Sequence, residues 1–401
     1  MSSKCEVDMT GQSKKKALVY YRYFGKKHGG ADYLPLTLIS ELQETYDVTL
    51  ALDWEGYFDL ALEFCGVPID RSRLKIVILM PKDYRPTSQN AFYSFLRFRR
   101  LKKLAKSMDV CIATDNIMDF GRPGHHFLSS AAFGDSGFVD YVNTGRIPDA
   151  VPLKRRLKEF ADKCLRRALG MRTRREIICN PDEHIYPNSN YIAGLLLNYY
   201  GRFNGTVFYP PTVFDFESRE MVRDPLKVVY IGRLEANKRI RDIIGIVRRA
   251  REISGKELTL SFAGRPYSES YRKELERIKN ETPWIDFPGQ LYGEKKTEFL
   301  LSATYAVHAM RIEAFGISIT EYMKAGLIPI VPDEGGACEV TDNPELSFHT
   351  DDEAAAILAR LLNDADFREQ QRRKCADRAA FFTRDAYLAR QHALLKSILE
   401  S

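Results

Sequence analysis

Short apolar runs alternate with longer amphipathic stretches along most of the 401 residues, and this alternation narrows the choice of fold more than any other feature. The stretches carry apolar residues at helical spacing, whereas the runs are rich in the residues of buried strands. Strands that alternate with helices are typical of doubly wound parallel sheets, so we expect an α/β fold. The predicted strands are Ala17–Tyr23, Val48–Leu52, Leu74–Leu79, Val110–Thr114, Phe138–Val142, Glu176–Cys179, Val207–Tyr209, Val228–Ile231, Leu258–Ala263, Ile285–Phe287, Tyr305–Ala309, Ile328–Val331 and Leu346–His349. The predicted helices include Leu34–Thr45, Arg241–Ile253, Tyr271–Lys279 and Ala354–Leu362.

Thirteen strands are too many for one such sheet, and the sequence contains a clear break between two. Tyr209-Pro210-Pro211-Thr212 cannot continue a helix or an inner strand, and a polar stretch follows it. The last helical segment has no strand after it and is expected to pack on the first domain. The predicted parts are a flexible tail (1–15), a first domain (16–207, with the helix 385–401), a linker (208–225) and a second domain (226–384).

Charge and hydropathy exclude several classes of protein. The net charge of +6 is too small to indicate nucleic-acid binding. No run of eighteen apolar residues predicts a transmembrane helix, and the polar amino terminus lacks the apolar core of a secretory signal. The seven cysteines are odd in number and form no close metal-ligand pairs, which indicates reduced, buried thiols. We therefore expect a cytoplasmic protein.

Several familiar ligand-binding patterns do not occur or fit poorly. Neither G-x-G-x-x-G nor G-x-x-x-x-G-K-[ST] occurs in the sequence. Asp364-Ala-Asp366 lies between two helical stretches, where a helix N-cap is expected rather than a metal site. His125-His126 has no carboxylate at metal-binding spacing and is interpreted as surface or capping groups. The sequence therefore predicts neither a metal nor a resident cofactor.

The first segment with chemical content is Val228–Lys238, in which an apolar strand ends at a Gly turn. Arg233 follows Gly232 directly, and Lys238 lies five residues further on. In an open α/β sheet, ligands bind beyond the carboxyl ends of the strands, and a guanidinium beside an ammonium suits a polyphosphate. Two solvated surface cations are the alternative interpretation.

The second segment, Glu313–Val331, follows another predicted strand. Gly316 allows the backbone to approach a ligand closely, and a helix is expected to begin near Ile317 with its free N–H groups at the sheet edge. Glu313 lies in the loop, whereas Glu321 lies about one turn inside the helix. The two carboxylates therefore suit separate hydroxyl groups better than an acid–base pair. An ordinary strand–loop–helix unit with two exposed acids is the alternative.

A third segment, His28-Gly29-Gly30-Ala31-Asp32, follows the first predicted strand. It is typical of a Gly-rich turn that leads into a helix and offers N–H groups to an anion or a sugar. A plain tight turn explains the same residues equally well.

Together these segments resemble the GT-B glycosyltransferases of family 4 (glycosyl transferases group 1). That family has a Gly-Gly loop after the first strand, a Gly-Arg-Leu-x3-Lys segment and a Glu-x7-Glu motif that contains Phe-Gly. Glu313 and Glu321 have this spacing, and Ala325-Gly326-Leu-Ile-Pro329 follows as in the family. The resemblance is strongest over residues 226–340 and weak between 50 and 170. The residues within these motifs are most similar to those of the branch that contains lipid-linked-oligosaccharide α-1,2-mannosyltransferases.

The resemblance implies two Rossmann-like domains facing a central cleft, with a UDP- or GDP-sugar as the donor. Arg233 and Lys238 would contact the diphosphate, Glu321 would hold the ribose, and Glu313 would hold the transferred sugar. The other donor-binding residues that it implies are Gly29, Gly30, Gly232, Gln290, Leu291, Phe315, Gly316, Ile317 and Ser318.

Family members usually have a His at the end of a strand in the first domain, near the reacting carbon. In Phe138–Thr144 the register that fits best puts Asn143 there. His125 or His126 would serve instead from the preceding loop. If neither does, the resemblance implies that catalysis or donor choice is altered.

The resemblance also implies a retaining, metal-independent transfer to a glycan or lipid-linked acceptor, in the synthesis of cell-envelope polysaccharide or glycolipid. The leaving diphosphate would help to remove the proton of the acceptor hydroxyl, while Arg233, Lys238 and the helix N-terminus stabilise the departing charge. Two alternatives stay open. One is a nucleotide-sugar epimerase or hydrolase, and the other is a non-catalytic subunit that binds a sugar nucleotide.

The positive charge is concentrated in one segment rather than spread over the chain. Residues 154–175 contain ten Lys and Arg against two acids, a local balance of +8, so the other residues sum to −2. Apolar residues at helical spacing make 153–175 a predicted basic amphipathic helix, and Tyr93–Lys106 is a second basic helix. One interpretation is peripheral docking on an anionic membrane, at the inner face of the cell membrane. The other is a helix packed on its domain with a solvated basic face.

Overall fold

The computed structural model describes residues 14–26, 30–84, 91–129, 136–144, 153–212 and 222–400. The chain divides into two compact units, the first comprising Met1–Val213 with Leu388–Ser401 and the second comprising Phe214–Tyr387. The division falls inside the range 208–225 that was expected to link the domains. Each unit is built around its own parallel six-stranded sheet.

The sheet of the first unit contains β1 (Lys15–Tyr21), β2 (Tyr46–Leu52), β3 (Leu74–Ile78), β4 (Val110–Ala113), β5 (His125–Leu128) and β6 (His184–Pro187). The strands lie in the order β3-β2-β1-β4-β5-β6, and all neighbours pair in parallel. Ala17, Leu18 and Val19 of the inner strand β1 are fully buried. Burial on both faces is typical of a parallel strand that helices cover from both sides.

The helices of the first unit are α1 (Gly30–Leu42), α2 (Phe58–Cys65), α3 (Ala91–Ala105), α4 (Ser136–Thr144), α5 (Leu153–Ala168), α6 (Arg174–Ile178) and α7 (Asn190–Tyr200). The two basic helices predicted from the charge pattern correspond to α3 and α5, but the prediction of one helix over 153–175 was too long, because α5 ends at Ala168 and residues 174–175 belong to α6. Ser189 caps α7, because its hydroxyl accepts a hydrogen bond from the backbone N–H of Ile192.

The prediction of a strand over Phe138–Val142 was wrong, since these residues lie in α4. Phe138, Tyr141 and Val142 also fit a helical repeat, and a short apolar run does not distinguish the two periods. Tertiary packing decides in favour of the helix, because the Phe138 ring is buried and stacks on Tyr200 of α7 at 5.5 Å between centroids.

Two further strand predictions in the first unit were wrong. Glu176–Cys179 overlaps α6, which begins with a capping box in which Thr173 and Glu176 bond each other's backbone N–H groups. Thr-x-x-Glu is a sequence signature for that start. Val207–Tyr209 forms no strand. Two strands, β5 and β6, were missed because each begins with histidine, which is not typical of strands.

The second unit agrees with the sequence prediction to within a few residues at each strand. Its strands are β7 (Asp224–Ile231), β8 (Thr259–Ala263), β9 (Ile285–Gly289), β10 (Ala303–Val307), β11 (Ile328–Pro332) and β12 (Ser347–Phe348), in the order β12-β11-β10-β7-β8-β9. Its helices are α8 (Ile240–Ser254), α9 (Glu269–Glu281), α10 (Gly293–Leu301), α11 (Ile317–Lys324), α12 (Gly336–Thr341), α13 (Asp351–Asn363) and α14 (Ala365–Ala380). The N-cap predicted at Asp364 is confirmed, because its carboxylate accepts a hydrogen bond from Phe367 N–H at 2.9 Å.

The last helix, α15 (Arg384–Glu400), starts in the second unit and belongs to the first from Leu388 onward. The buried Thr37 hydroxyl of α1 donates to Gln391 Oε1 at 2.7 Å. Glu41, one turn further along α1, bonds both Gln391 Nε2 and His392 Nδ1 at 2.8 Å. These polar contacts attach α15 to α1.

No helix in the described part of the chain is long and apolar enough to cross a membrane. The described cysteines are free thiols. Burial holds for only some of them: Cys65, Cys111 and Cys375 are buried, whereas Cys164 is exposed on α5. Cys5 lies outside the described residues.

Candidate functional site

Lys238 and Glu313, both predicted to bind a donor, meet at the carboxyl edge of the second sheet. Lys238 ends a short 3-10 turn after β7, and Glu313 lies in the loop between β10 and α11. Lys238 Nζ donates to Glu313 Oε2 at 2.6 Å, and the two side chains are only 14% and 17% exposed. Because the pair is largely screened from water, each group strongly stabilises the charge of the other.

Burial alone would raise the pKa of the Glu313 carboxyl, but His308 and Lys238 outweigh it and lower this pKa to about 2. His308 follows the end of β10, and its Nε2 lies 3.5 Å from Glu313 Oε2. The carboxylate is therefore ionised at every physiological pH and acts as a hydrogen-bond acceptor.

Glu321, the second predicted carboxylate, lies on α11 and has its own lysine. Lys296 Nζ of α10 donates to Glu321 Oε1 at 2.7 Å, and the two side chains are 15% and 8% exposed. Each acid pairs with a lysine and not with the other acid, and their separate roles stay a prediction. Lys296 lies in no motif that the sequence revealed, so its part in the site was missed.

The backbone at Gly316 has a conformation that only glycine adopts without strain. Gly316 precedes α11 with φ of +96°, and a Cβ atom there would lie 2.6 Å from Ile319 Cδ1. The helix begins at Ile317 as predicted, and its Tyr322 hydroxyl accepts a hydrogen bond from Ile231 N–H at the end of β7 at 2.7 Å. Ile317 and Ser318 are half-buried in the first turn, whereas Phe315 is buried.

A second glycine pair, Gly335-Gly336, holds the Glu313 loop in place and was not predicted. The N–H of Gly336 donates to the carbonyl oxygen of Glu313 at 2.7 Å. A Cβ atom on Gly336 would clash with the carbonyl oxygen of Ala314, and one on Gly335 with that of Arg311. The available signal was a Gly-Gly pair a few residues after a predicted strand, as was noted after the first strand.

Arg233 lies at the same sheet edge, but it is not part of the Lys238–Glu313 pair. Its side chain is 75% exposed and pairs with Glu235 at 3.1 Å. Gly232 precedes it in the turn after β7. A side chain would not fit at this position, because a Cβ atom there would lie 2.7 Å from the Tyr230 hydroxyl oxygen. Gln290 is exposed and Leu291 half-buried after β9, the strand at the margin of this sheet.

In the first unit, Gly30 opens α1 and Gly29 lies outside the described residues. The placement of Asn143 after a strand was wrong, because Asn143 is exposed near the end of α4. The position after a strand in this region belongs to Ser129, which follows β5. Its hydroxyl lies 3.4 Å from Asp115 Oδ1, beyond the end of β4.

His125 and His126 open strand β5 instead of lying in a loop, so they occupy the amino edge of the first sheet. His126 is buried and His125 is half-buried, and each bonds a side chain of its own unit, so the interpretation as surface or capping groups was wrong. His126 is fully buried, its Nδ1 accepts from Met118 N–H at 3.3 Å, and its Nε2 lies 2.8 Å from Glu183 Oε2. Burial lowers the pKa of His125 to about 3. With both nitrogens of His126 bonded inside the unit, neither is presented to a substrate.

A buried ionic network surrounds His126 and also escaped sequence reasoning. Glu183 pairs with Arg172 at 2.7 Å, and Arg172 pairs with Asp119 at 2.9 Å. Lys102 completes the chain at 2.7 Å from Asp119. These contacts join β5, α3 and the segment before α6, so they stabilise the unit.

The described residues contain no group of three His, Cys, Asp or Glu side chains placed to hold a metal ion. What the second unit offers at its carboxyl edge is two lysine–carboxylate pairs, an exposed arginine and a helix N-terminus. This set suits an anionic ligand that also carries hydroxyl groups.

Comparisons with known proteins agree with this chemistry. Residues 214–380 match the family model for glycosyl transferases group 1. A curated protein, the GDP-Man:Man(3)GlcNAc(2)-PP-Dol alpha-1,2-mannosyltransferase of Caenorhabditis elegans, is 25% identical over 166 residues. The match covers 37% of this chain and 35% of that protein, so it spans about a third of the relative's length. The family match supports sugar transfer as the class of activity.

Solved structures resemble the chain over nearly its whole length. Anabaena HepE, in complex with UDP and glucose, has a TM-score of 0.64 at 15% identity and covers 96% of this chain and 99% of its own. The sucrose-phosphate synthase of Thermosynechococcus elongatus has a TM-score of 0.66 at 14% identity, covering 96% and 100%. At such identities the likeness shows the fold, which is the two-domain α/β GT-B fold.

Proposed function

We propose that the protein is a retaining, metal-independent glycosyltransferase that moves a sugar from a nucleotide diphosphate sugar to a glycan or lipid-linked acceptor. One observation carries the proposal. The Lys238–Glu313 and Lys296–Glu321 pairs lie at the carboxyl edge of the second sheet, inside the segment that matches the glycosyl transferases group 1 model. Synthesis of cell-envelope polysaccharide or glycolipid is the proposed setting.

In this proposal each charged group has one part of the donor to bind. Arg233 and Lys238 hold the diphosphate, Glu313 accepts hydrogen bonds from the sugar hydroxyls, and Glu321 accepts them from the ribose. The N-terminus of α11 adds its dipole. Lys238 then exchanges its carboxylate partner for phosphate oxygens.

The reaction follows from that arrangement. The bond between the anomeric carbon and the diphosphate oxygen breaks, and the acceptor oxygen forms its bond on the same face of the sugar. The acceptor proton goes to the departing diphosphate. The protein contributes positioning and the stabilisation of the negative charge that grows on the leaving group.

We further propose that α5 docks on an anionic membrane, where a lipid-linked acceptor resides. The apolar side chains Leu153, Leu157, Phe160 and Leu165 are 47–70% exposed, so they are not covered by their own unit. Lys154, Arg156 and Lys163 are exposed on the same helix. An exposed helix with apolar and basic faces suits the interface of an anionic bilayer. The alternative of a helix packed by its apolar face does not fit these exposures.

The second basic helix, α3, is not proposed as a membrane surface. Arg97 pairs with the buried Asp53 at 2.6 Å, and Lys102 pairs with Asp119 at 2.7 Å. Arg100 bonds the carbonyl oxygen of Leu79. These three cations of α3 therefore serve contacts inside the first unit.

A donor panel tests the proposed function. Thermal shifts with UDP, GDP and their sugars identify the base, and mass detection of products on cell-envelope acceptors identifies transfer. The anomeric configuration of the product reports retention, and EDTA is expected to leave the rate unchanged. Free sugar or an epimer from donor alone would favour hydrolysis or epimerisation. Tight nucleotide binding without turnover across acceptors would favour a non-catalytic subunit.

A further inference from the structure

His308 is a buried histidine whose imidazole ring makes no hydrogen bond within the described part of the chain. Its side chain is 2% exposed, and among the described residues neither ring nitrogen has a hydrogen-bond partner. Its backbone N–H bonds Ile330 on β11, and its ring stacks on Tyr230 of β7 at 6.4 Å between centroids. Buried polar side chains are nearly always paired, so this imidazole needs an explanation.

The geometry places the imidazole beside one carboxylate oxygen. His308 Nε2 lies 3.5 Å from Glu313 Oε2, the same oxygen that Lys238 Nζ bonds at 2.6 Å. At 3.5 Å the imidazole contact is too long for a good hydrogen bond. An approach of under about 1 Å would bring it to the usual distance. Two donors therefore face one acceptor, and only one of them is engaged.

We propose that His308 is a positioning residue that takes over Glu313 when Lys238 turns to the diphosphate of a bound nucleotide. This inference rests on the proposed function, because it assumes that Lys238 binds the diphosphate. A largely buried carboxylate that lost its lysine would be left uncompensated, which is costly. A hydrogen bond from Nε2–H keeps Glu313 satisfied and holds its rotamer while Lys238 binds phosphate.

The test is a double-mutant cycle. Calorimetry measures the affinity of the full chain and of each variant for UDP and for GDP. Nucleoside diphosphates carry no transferred sugar, so the contact of Glu313 with that sugar does not enter the measurement. His308→Phe is expected to weaken binding by about tenfold in the wild-type background. In the Glu313→Gln background, which has no carboxylate to compensate, the same change is expected to alter affinity by less than about twofold.

Two control variants separate positioning from packing. His308→Gln keeps an N–H donor at similar reach and is expected to bind within about threefold of wild type. His349→Phe, an exposed histidine of the same unit, is expected to change nothing. The melting temperature of His308→Phe should equal or exceed that of wild type. The apolar phenyl ring replaces a buried imidazole whose nitrogens make no hydrogen bond in the described part of the chain.

Failure of the role proposed for His308 and failure of the proposed function give different results. Equal losses in both backgrounds, or no loss in either, would overturn the role of His308 while the donor site stands. A wild-type chain that binds neither UDP nor GDP would overturn the proposed function and the inference with it.

Discussion

Lys238 Nζ lies 2.6 Å from Glu313 Oε2, so the group proposed for the diphosphate is bonded to the group proposed for the sugar. Binding of a nucleoside diphosphate therefore competes with an internal ion pair. We expect Glu313→Gln to bind UDP or GDP more tightly than wild type, by about threefold, because Lys238 is no longer engaged. Transfer should fall at the same time. Calorimetry and product assays on one preparation measure both, and weaker nucleotide binding would contradict the competition.

Removing either cation should slow transfer. Arg233→Ala and Lys238→Ala are each expected to lower kcat/KM by an order of magnitude or more, because less positive charge meets the leaving diphosphate. Lys279→Ala, which removes an exposed lysine paired with Asp286, is the matched control. Near-normal turnover in both site variants would refute their assignment.

Acid should remove the stabilisation that Glu313 provides. Its pKa is lowered to about 2 in the folded protein from an ordinary value of 4.5, so its contribution is complete above pH 4.5 and disappears as pH falls toward 2. Such a shift corresponds to roughly 3 kcal/mol. Urea unfolding of wild type and Glu313→Gln between pH 6 and pH 3 should show a difference that shrinks with acid. Glu298→Gln, an exposed acid on α10, serves as the control, and a difference independent of pH would contradict the pairing.

The exposed apolar residues of α5 should govern membrane binding. Leu157→Glu with Phe160→Glu is expected to abolish flotation with anionic vesicles, because charge then occupies the face that would enter the bilayer. Ile253→Glu, an exposed apolar residue of α8 in the second unit, should float like wild type. Equal flotation of wild type with neutral and anionic vesicles, or with neither, would count against docking through charge.

His126 should matter for stability and not for chemistry. His126→Ala is expected to lower the free energy of unfolding by about 3 kcal/mol, because Glu183 loses a buried partner. The kcat of the folded fraction should stay within about threefold of wild type, since neither ring nitrogen reaches a substrate. Asn143→Ala, on the exposed end of α4, should change neither quantity. A large fall in kcat with unchanged stability would restore a catalytic role to His126.

The sequence predicted the strands of the second unit because most of them contain a short, largely apolar run, such as Val228–Ile231 or Ile328–Val331, and because glycine marks several of its turns. Gly316, Glu313 and Glu321 lie where the motif predicts them. The role of Lys296 could not be predicted from the sequence. Its pairing with Glu321 depends on how α10 packs against α11, and no fixed sequence spacing indicates that contact.

The first unit was harder for a physical reason. Phe138 fits a strand and a helix equally well, and only its stacking on Tyr200 decides between them. His126 carries two polar nitrogens that are usually exposed, and its burial depends on Glu183, 57 residues away in the sequence. Long-range pairing of this kind cannot be derived from local pattern.

The attachment of α15 to α1 has a consequence for biosynthesis. Thr37 finds its partner in Gln391, 354 residues later, so the first unit cannot complete its packing until residue 391 has left the ribosome. The second unit, which is continuous in sequence, is free to fold before then. The first unit to be translated is therefore the last to be finished, and a nascent chain that stalls before Leu388 leaves α1 without the helix that covers it.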